Sequence, residues 1–182
     1  GVMLTHRNLI ANVAQFGAMT GENTSTWAGY LAAHRNRRAY FKTMGATSTD
    51  HGHATAQTSD LNAVECQRLL DRALIGTIAA AEAEVFRGQV LTEMAGMSLD
   101  DGLVMQIHPG SFRNHNPVVF SRFGPAKGPA IPPRTDYGPP LRPLLETPGN
   151  HRPPTVTPFP PDKASFAPEQ APRDAPLPAI QR

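Results

Sequence analysis

Two short apolar stretches that end in ionisable side chains organise the pattern of hydrophobic and polar positions. One runs from Gly102 to Gly110 as GLVMQIHPG, and the other runs from Ala46 to His53 as ATSTDHGH. Each has the length of a buried strand, which we place at about Ala46 to Thr49 in the second stretch. The residues between them have a helical pattern, as a parallel β-α-β crossover requires. The sequence therefore predicts two neighbouring parallel strands.

Helical spacing of apolar residues fills most of the remaining chain up to residue 124. A capping box at Asn62–Glu65 and glycines at the ends support these assignments. The aromatic side chains of the second helix are predicted to lie in the core, and its basic run is either a solvated helix face or an anion-binding face. The predicted helices run from about Asn8 to Gly17, Trp27 to Met44, Val64 to Leu74 and Ala79 to Met97, and the basic run is Arg35, Arg37, Arg38 and Lys42.

Composition changes this picture in two ways. The 182 residues carry a net charge of only +2, which argues against a nucleic-acid partner. They contain one cysteine, which cannot form an internal disulfide and favours a cytoplasmic protein. No signal peptide or membrane-length apolar run is recognisable, so no membrane partner is expected. Seventeen of the 19 prolines follow residue 124. We therefore divide the chain into an N-terminal helix (1–16), a main unit (17–146) and a proline-rich, mostly irregular tail (147–182). The main unit ends with at most a short helix near Leu141 to Glu146.

Ionisable side chains cluster where the two predicted strands end. Chemistry in parallel sheets and barrels sits at the C-terminal ends of the strands, so several of these side chains could share one pocket. Simpler alternatives exist, because Asp50 can cap a loop locally and His108 can hydrogen-bond its Pro-Gly turn. The His51-x-His53 spacing resembles a zinc motif but supplies two ligands where catalytic zinc usually takes three. The candidates are Asp50, His51, His53, His108 and Arg113.

Several of these blocks, in this order, resemble a family. The chain from about residue 12 to residue 145 is similar to an internal piece of a bacterial uronate isomerase, in the amidohydrolase superfamily. Gly1–Arg7 does not match the family, and the prolines around Thr155–Phe159 stand where the family has an apolar strand. The blocks that carry the resemblance are TGE (20–22) with WAGYL (27–31), GATSTDHGH (45–53), LTEM (91–94), GLVMQIHPG (102–110) and RNHN (113–116).

The resemblance implies an α/β fold, as part of a (β/α)8 barrel whose fourth and fifth strands are the two stretches above. It implies interconversion of D-glucuronate with D-fructuronate and of D-galacturonate with D-tagaturonate. By position, Asp50 and His108 resemble catalytic residues, and Arg113 and His51 resemble substrate-binding residues. It also implies a divalent metal such as zinc, held by first-strand and eighth-strand ligands that this sequence lacks, and it allows a homo-oligomer. We therefore expect little turnover from these 182 residues alone.

The rival hypothesis is a protein without catalytic activity. In it, the partial barrel is an interaction module, and the proline-rich tail binds a partner through polyproline spacings such as Pro140–Pro143.

Overall fold

The structure of the protein is a computed structural model that describes residues 6–53, 55–110, 114, 116–124, 127, 136–146 and 155–158. Helices and strands alternate in this part of the chain, as expected of an α/β protein. The elements are α1 His6–Thr20, α2 Trp27–Thr43, β1 Ser48–His51, α3 Ala63–Leu74, α4 Ala80–Asp101, β2 Val104–Ile107, α5 Pro117–Phe123, α6 Gly138–Glu146 and β3 Val156–Pro158.

The described strands form a parallel sheet in the order β1-β2-β3. Ser48 pairs with Val104 and His51 pairs with Ile107, so the predicted parallel β-α-β unit is confirmed. Strand β1 starts two residues later than predicted, and Asp50 and His51 therefore lie inside it. Pairing also continues past the strand, because the N–H of His108 donates to the carbonyl of His51 at 2.8 Å.

The helix ends follow local signals. The predicted capping box is present: the Asn62 side chain accepts from the N–H of Glu65, and the Glu65 side chain accepts from the N–H of Asn62. Gly45 and Gly76 have positive φ just beyond α2 and α3, where a left-handed residue stops a helix. Helix α4 continues to Asp101, past the predicted end at Met97, and Gly102 with φ 75° ends it.

An ion pair fastens α2 to the end of α4. Arg38 is only 7% exposed, and its Nε and Nη2 donate to the Asp101 carboxylate at 2.6 and 2.9 Å. The same Nη2 donates to the Ser98 hydroxyl at 2.9 Å, and the Lys42 ammonium donates to the Asp101 carbonyl. Neither alternative for the basic run, a solvated face or an anion site, is correct for Arg38. A bidentate partner explains its burial.

One hydrophobic core joins the helices to one face of the sheet. Trp27 and Tyr30 belong to it as predicted, but Phe41 of the same helix is 52% exposed. Helix α4 packs against β2 and α6, and α3 packs against α4. The fully buried side chains of this core include Leu70, Phe86, Leu91, Met97, Met105, Ile107, Leu144 and Val156.

The chain after residue 116 is more regular than predicted where the structure describes it. Strand β3 falls in the segment predicted to be mostly irregular, and Pro158 is its last residue, where no further ladder bond is needed. Helix α5 was not predicted, although Asn116 caps it and Pro117 occupies its first turn. Helix α6 begins at Gly138, before the short helix predicted near Leu141–Glu146.

Within the described residues, no helix has both the length and the apolar composition needed to cross a bilayer.

Candidate functional site

Strands β1 and β2 bring Asp50 and His108 into contact. The register pairs Asp50 with Gln106, and His108 follows two residues later, so both side chains project from the same face of the sheet. Nδ1 of His108 forms a hydrogen bond with Oδ1 of Asp50. When Nδ1 donates to the carboxylate, Nε2 of the neutral ring is the acceptor nitrogen. The contact thus fixes both the orientation and the tautomer of the imidazole.

The Asp50–His108 pair is open to solvent. The side chains are 60% and 42% exposed respectively. An exposed pair of this kind contributes little to folding stability. Its geometry therefore matters more for chemistry at the surface of the sheet than for holding the strands together.

His51 lies on the opposite face of the sheet from that pair. It is in register with the fully buried Ile107, and its Nε2 is 2.9 Å from the Thr49 hydroxyl. Burial lowers the pKa of His51 to about 4, and the positive charges of His53 and Arg38 act in the same direction. The ring is therefore neutral at pH 7. The structure brings Asp50 and His108 together and does not bring His51 to them.

The His51-x-His53 spacing does not build a metal centre in the described residues. The two rings are 6.5 Å apart between centroids. Burial lowers the pKa of His53, with the Arg87 charge acting in the same direction. In the part of the chain that the structure describes, no three His, Cys, Asp or Glu side chains are grouped to hold a metal ion. These residues therefore do not fit a metal site. Arg113 lies outside the described residues.

Two polar side chains on the open face were missed by sequence reasoning. Gln106 lies between Met105 and Ile107, and Thr157 is its partner in register on β3. The sequence did contain a signal for Gln106, since a glutamine that alternates with apolar residues in a strand must face away from the core. Thr157 had none, because the tail was predicted to be irregular.

These features define a class. The chain is an α/β protein with a parallel sheet, whose strands carry a hydrogen-bonded Asp–His pair at their C-terminal ends, the usual place for sites in such folds. A sequence model of the family described as glucuronate isomerase matches residues 1–151. The chain belongs to the glucuronate isomerase family. Because the match begins at residue 1, the prediction that Gly1–Arg7 lies outside the family is wrong.

Curated relatives extend the similarity along nearly all of the chain. A uronate isomerase of Rhizobium meliloti is 55% identical over 170 residues, which are 93% of this chain and 36% of that protein. A uronate isomerase of Phenylobacterium zucineum is 52% identical over 176 residues, 97% of this chain and 37% of that protein. The chain thus spans little more than a third of the length of these relatives, and the similarity includes most of residues 147–182.

Solved structures show the same fold. The crystal structure of glucuronate isomerase from Caulobacter crescentus superposes with a TM-score of 0.82 at 48% identity, covering 88% of this chain and 33% of that one. Uronate isomerase from Thermotoga maritima gives a TM-score of 0.75 at 21% identity, covering 82% and 33%. The second likeness concerns the fold alone.

Proposed function

We propose that this chain forms part of an aldose-ketose isomerase that acts on uronate sugars. It would convert D-glucuronate to D-fructuronate and D-galacturonate to D-tagaturonate. Family membership supports the reaction class, and the contact between Asp50 and His108 is the observation that carries the assignment to residues. The rival, an interaction module without catalysis, is not favoured, because the curated relatives are uronate isomerases.

We further propose that the sheet is part of a (β/α)8 barrel, with β1 and β2 as its fourth and fifth strands. Parallel sheets are normally covered on both faces, and among the described residues the hydrophobic core lies on the face of Met105 and Ile107. The other face carries Asp50 and His108. In a closed barrel that face would line the interior, and the C-terminal ends of the strands would open into the active site.

In the proposed mechanism, His108 moves a proton between the two carbons that exchange oxidation states. Its Nε2 takes the proton from C2 of the open-chain aldehyde, the C2–H electrons form the C1–C2 double bond, and the carbonyl oxygen takes a proton from solvent. The imidazolium then returns its proton from Nε2 to C1, while the C2 hydroxyl of the cis-enediol gives its proton to solvent, which leaves a ketone at C2. Asp50 holds the ring in the required tautomer and stabilises the imidazolium.

The remaining assignments rest on the family. Arg113 is proposed to bind the substrate carboxylate or hydroxyls, as a guanidinium does well. The position of His51 beneath the sheet argues against direct contact with a substrate on the open face. A zinc ion in the whole enzyme would need ligands beyond the described residues, and no step here depends on it. A bacterial cytoplasmic location and a homo-oligomer belong to the same proposal.

The test is an isomerase assay of the protein in its natural length, with D-glucuronate and D-galacturonate as substrates. Replacing His108 by Ala removes the proton carrier, and we expect kcat to fall by a factor of about 100 to 10,000. Asp50→Asn keeps the shape but removes the charge that orients the ring, and we expect a smaller loss of kcat.

Asp100→Asn is the matched control, since Asp100 is exposed near the end of α4 and should leave kcat unchanged. Absence of isomerisation by the unmodified protein would overturn the proposal. So would a folded His108→Ala variant with full activity.

A further inference from the structure

A row of polar side chains crosses the sheet at one level beside the Asp50–His108 pair. Asp50 of β1 is in register with Gln106 of β2, and Gln106 is in register with Thr157 of β3. Residues in register on parallel strands project from the same face, and adjacent strands lie about 4.8 Å apart. The row therefore spans about 10 Å, which is two strand spacings.

Core packing does not explain this row. The residues on both sides of Gln106 and the residue before Thr157 face the other way and are buried: Met105 and Ile107 are 0% exposed, and Val156 is 2% exposed. Gln106 and Thr157 themselves are partly exposed. Parallel strands usually read as continuous apolar runs, because both faces are covered. Polar residues in the middle of two such strands indicate a face that lines a site.

We propose that Gln106 and Thr157 form a subsite for the hydroxyl groups of an open-chain polyol. This inference rests on the proposed function and adds two substrate-binding residues to it. A carboxamide and a hydroxyl can each both donate and accept a hydrogen bond, and so can every hydroxyl of a sugar. A substrate with C1 and C2 at His108 would lay its following carbons across β2 and β3, where these side chains project.

Neutral side chains suit this task better than charged ones. A second carboxylate beside Asp50 would repel the substrate's own carboxylate. An arginine at this place would attract that carboxylate and compete with Arg113 for it. Gln106 and Thr157 leave the charge of the site to the Asp50–His108 pair. They contact parts of the sugar that do not react, so their hydrogen bonds have similar strength in the bound substrate and in the transition state.

The experiment compares KM and kcat for D-glucuronate in the protein of natural length. Gln106→Leu and Thr157→Val remove the polar groups at similar volume. We expect each to raise KM by about tenfold, the size of one or two neutral hydrogen bonds, with kcat changed by less than about threefold. Ser48→Ala is the matched control, because Ser48 lies on the same face two residues before Asp50 and away from the C-terminal edge. It should leave both constants unchanged.

An unchanged KM in Gln106→Leu would overturn the subsite, as would an equal rise of KM in Ser48→Ala. The Tm of each variant must stay within a few degrees of that of the parent protein. If Gln106→Leu does not fold, Gln106→Glu takes its place in the test. That variant keeps the shape and adds a charge. We expect it to raise KM for the anionic sugar at least as much, and an unchanged KM would again overturn the subsite.

Calorimetric binding of D-glucuronate to the His108→Ala variant separates failure of the subsite from failure of the proposed function. If the unmodified protein has no turnover but Gln106→Leu still weakens binding about tenfold, the isomerase proposal fails and the subsite stands. If turnover depends on His108 while Gln106→Leu changes neither binding nor KM, the subsite alone fails. An absence of both turnover and binding overturns both.

Discussion

The two faces of the sheet differ in what their side chains do. On one face, Met105, Ile107 and Val156 are buried in a core that the helices complete. On the other, Asp50, Gln106, His108 and Thr157 are partly or largely exposed. Alternation along each strand places both sets within a few residues of one another. Stability is thus concentrated on one side of a four-residue strand, and candidate chemistry on the other.

The largest expected effect is on the core face. Met105→Ala removes a fully buried side chain from the central described strand, and we expect the free energy of unfolding to fall by about 3 kcal/mol. The neighbouring change Gln106→Ala faces the other way and should cost less than about 1 kcal/mol. Chemical denaturation of both variants measures the difference. Equal losses would show that the two faces do not divide stability from chemistry as described here.

The same division explains what could be predicted from sequence. The strands and the helix caps follow from local signals: short apolar runs, an Asn62–Glu65 box and glycines at helix ends. Each of these depends on a few adjacent residues. The parallel direction follows from the length of the crossover, and the meeting of Asp50 with His108 follows in turn, because parallel strands end at the same edge of the sheet.

What failed depended on contacts that are distant in sequence. The burial of Arg38 requires Asp101, 63 positions away, and no pattern within α2 shows that partner. Among the described strands, β3 pairs with β2, which is distant in sequence, so the prolines in and around β3 dominated the prediction. His51 was grouped with Asp50 because the two are adjacent. Inside a strand, adjacent residues face opposite ways. The predicted strand was placed two residues too early, so Asp50 and His51 were treated as loop residues to which this rule did not apply.

A medium effect is expected where the helical layer packs tightly behind the sheet. A Cβ on Gly88 of α4 would lie 2.8 Å from the Ser59 hydroxyl and 3.1 Å from the Gln57 carbonyl oxygen. We therefore expect Gly88→Ala to lower the free energy of unfolding by about 2 kcal/mol. Gly96 lies on the same helix, and apart from the backbone of that helix and its two chain neighbours no atom of the described residues would lie within 4 Å of such a Cβ. Gly96→Ala should instead raise stability by up to about 1 kcal/mol, through helix propensity alone.

Denaturation curves of these two glycine variants make a test within one helix. Loss of stability in both would mean that helix α4 is closely packed along its whole length. A gain in both would mean that the loop at residues 57–59 yields, and that the helical layer is less rigid than its contacts indicate.

The smallest effect at neutral pH, and a distinct one in acid, is expected at His34 on the helical side. Its ring packs at 4.5 Å from the Phe16 ring and 4.6 Å from the Tyr30 ring, and its Nε2 has no hydrogen-bond partner among the described residues. Burial lowers the pKa of His34 to about 4, and the nearby Arg38 charge acts in the same direction. An aromatic ring without nitrogen should fit the same place.

The pH dependence follows from that lowered pKa. Between pH 6.5 and 4 the unfolded chain binds a proton at His34 that the folded chain does not, so stability is full above pH 6.5 and declines as the pH falls. We expect His34→Phe to change the free energy of unfolding by less than about 1 kcal/mol at pH 7 and to reduce its decline in acid. The pKa of His51 is lowered in a similar way, so the loss of stability in acid that His51 causes remains in the His34→Phe variant. Urea titrations of parent and variant at pH 7 and pH 4.5 measure the free energies of unfolding. If the variant loses as much stability between the two pH values as the parent does, His34 is protonated in the folded protein.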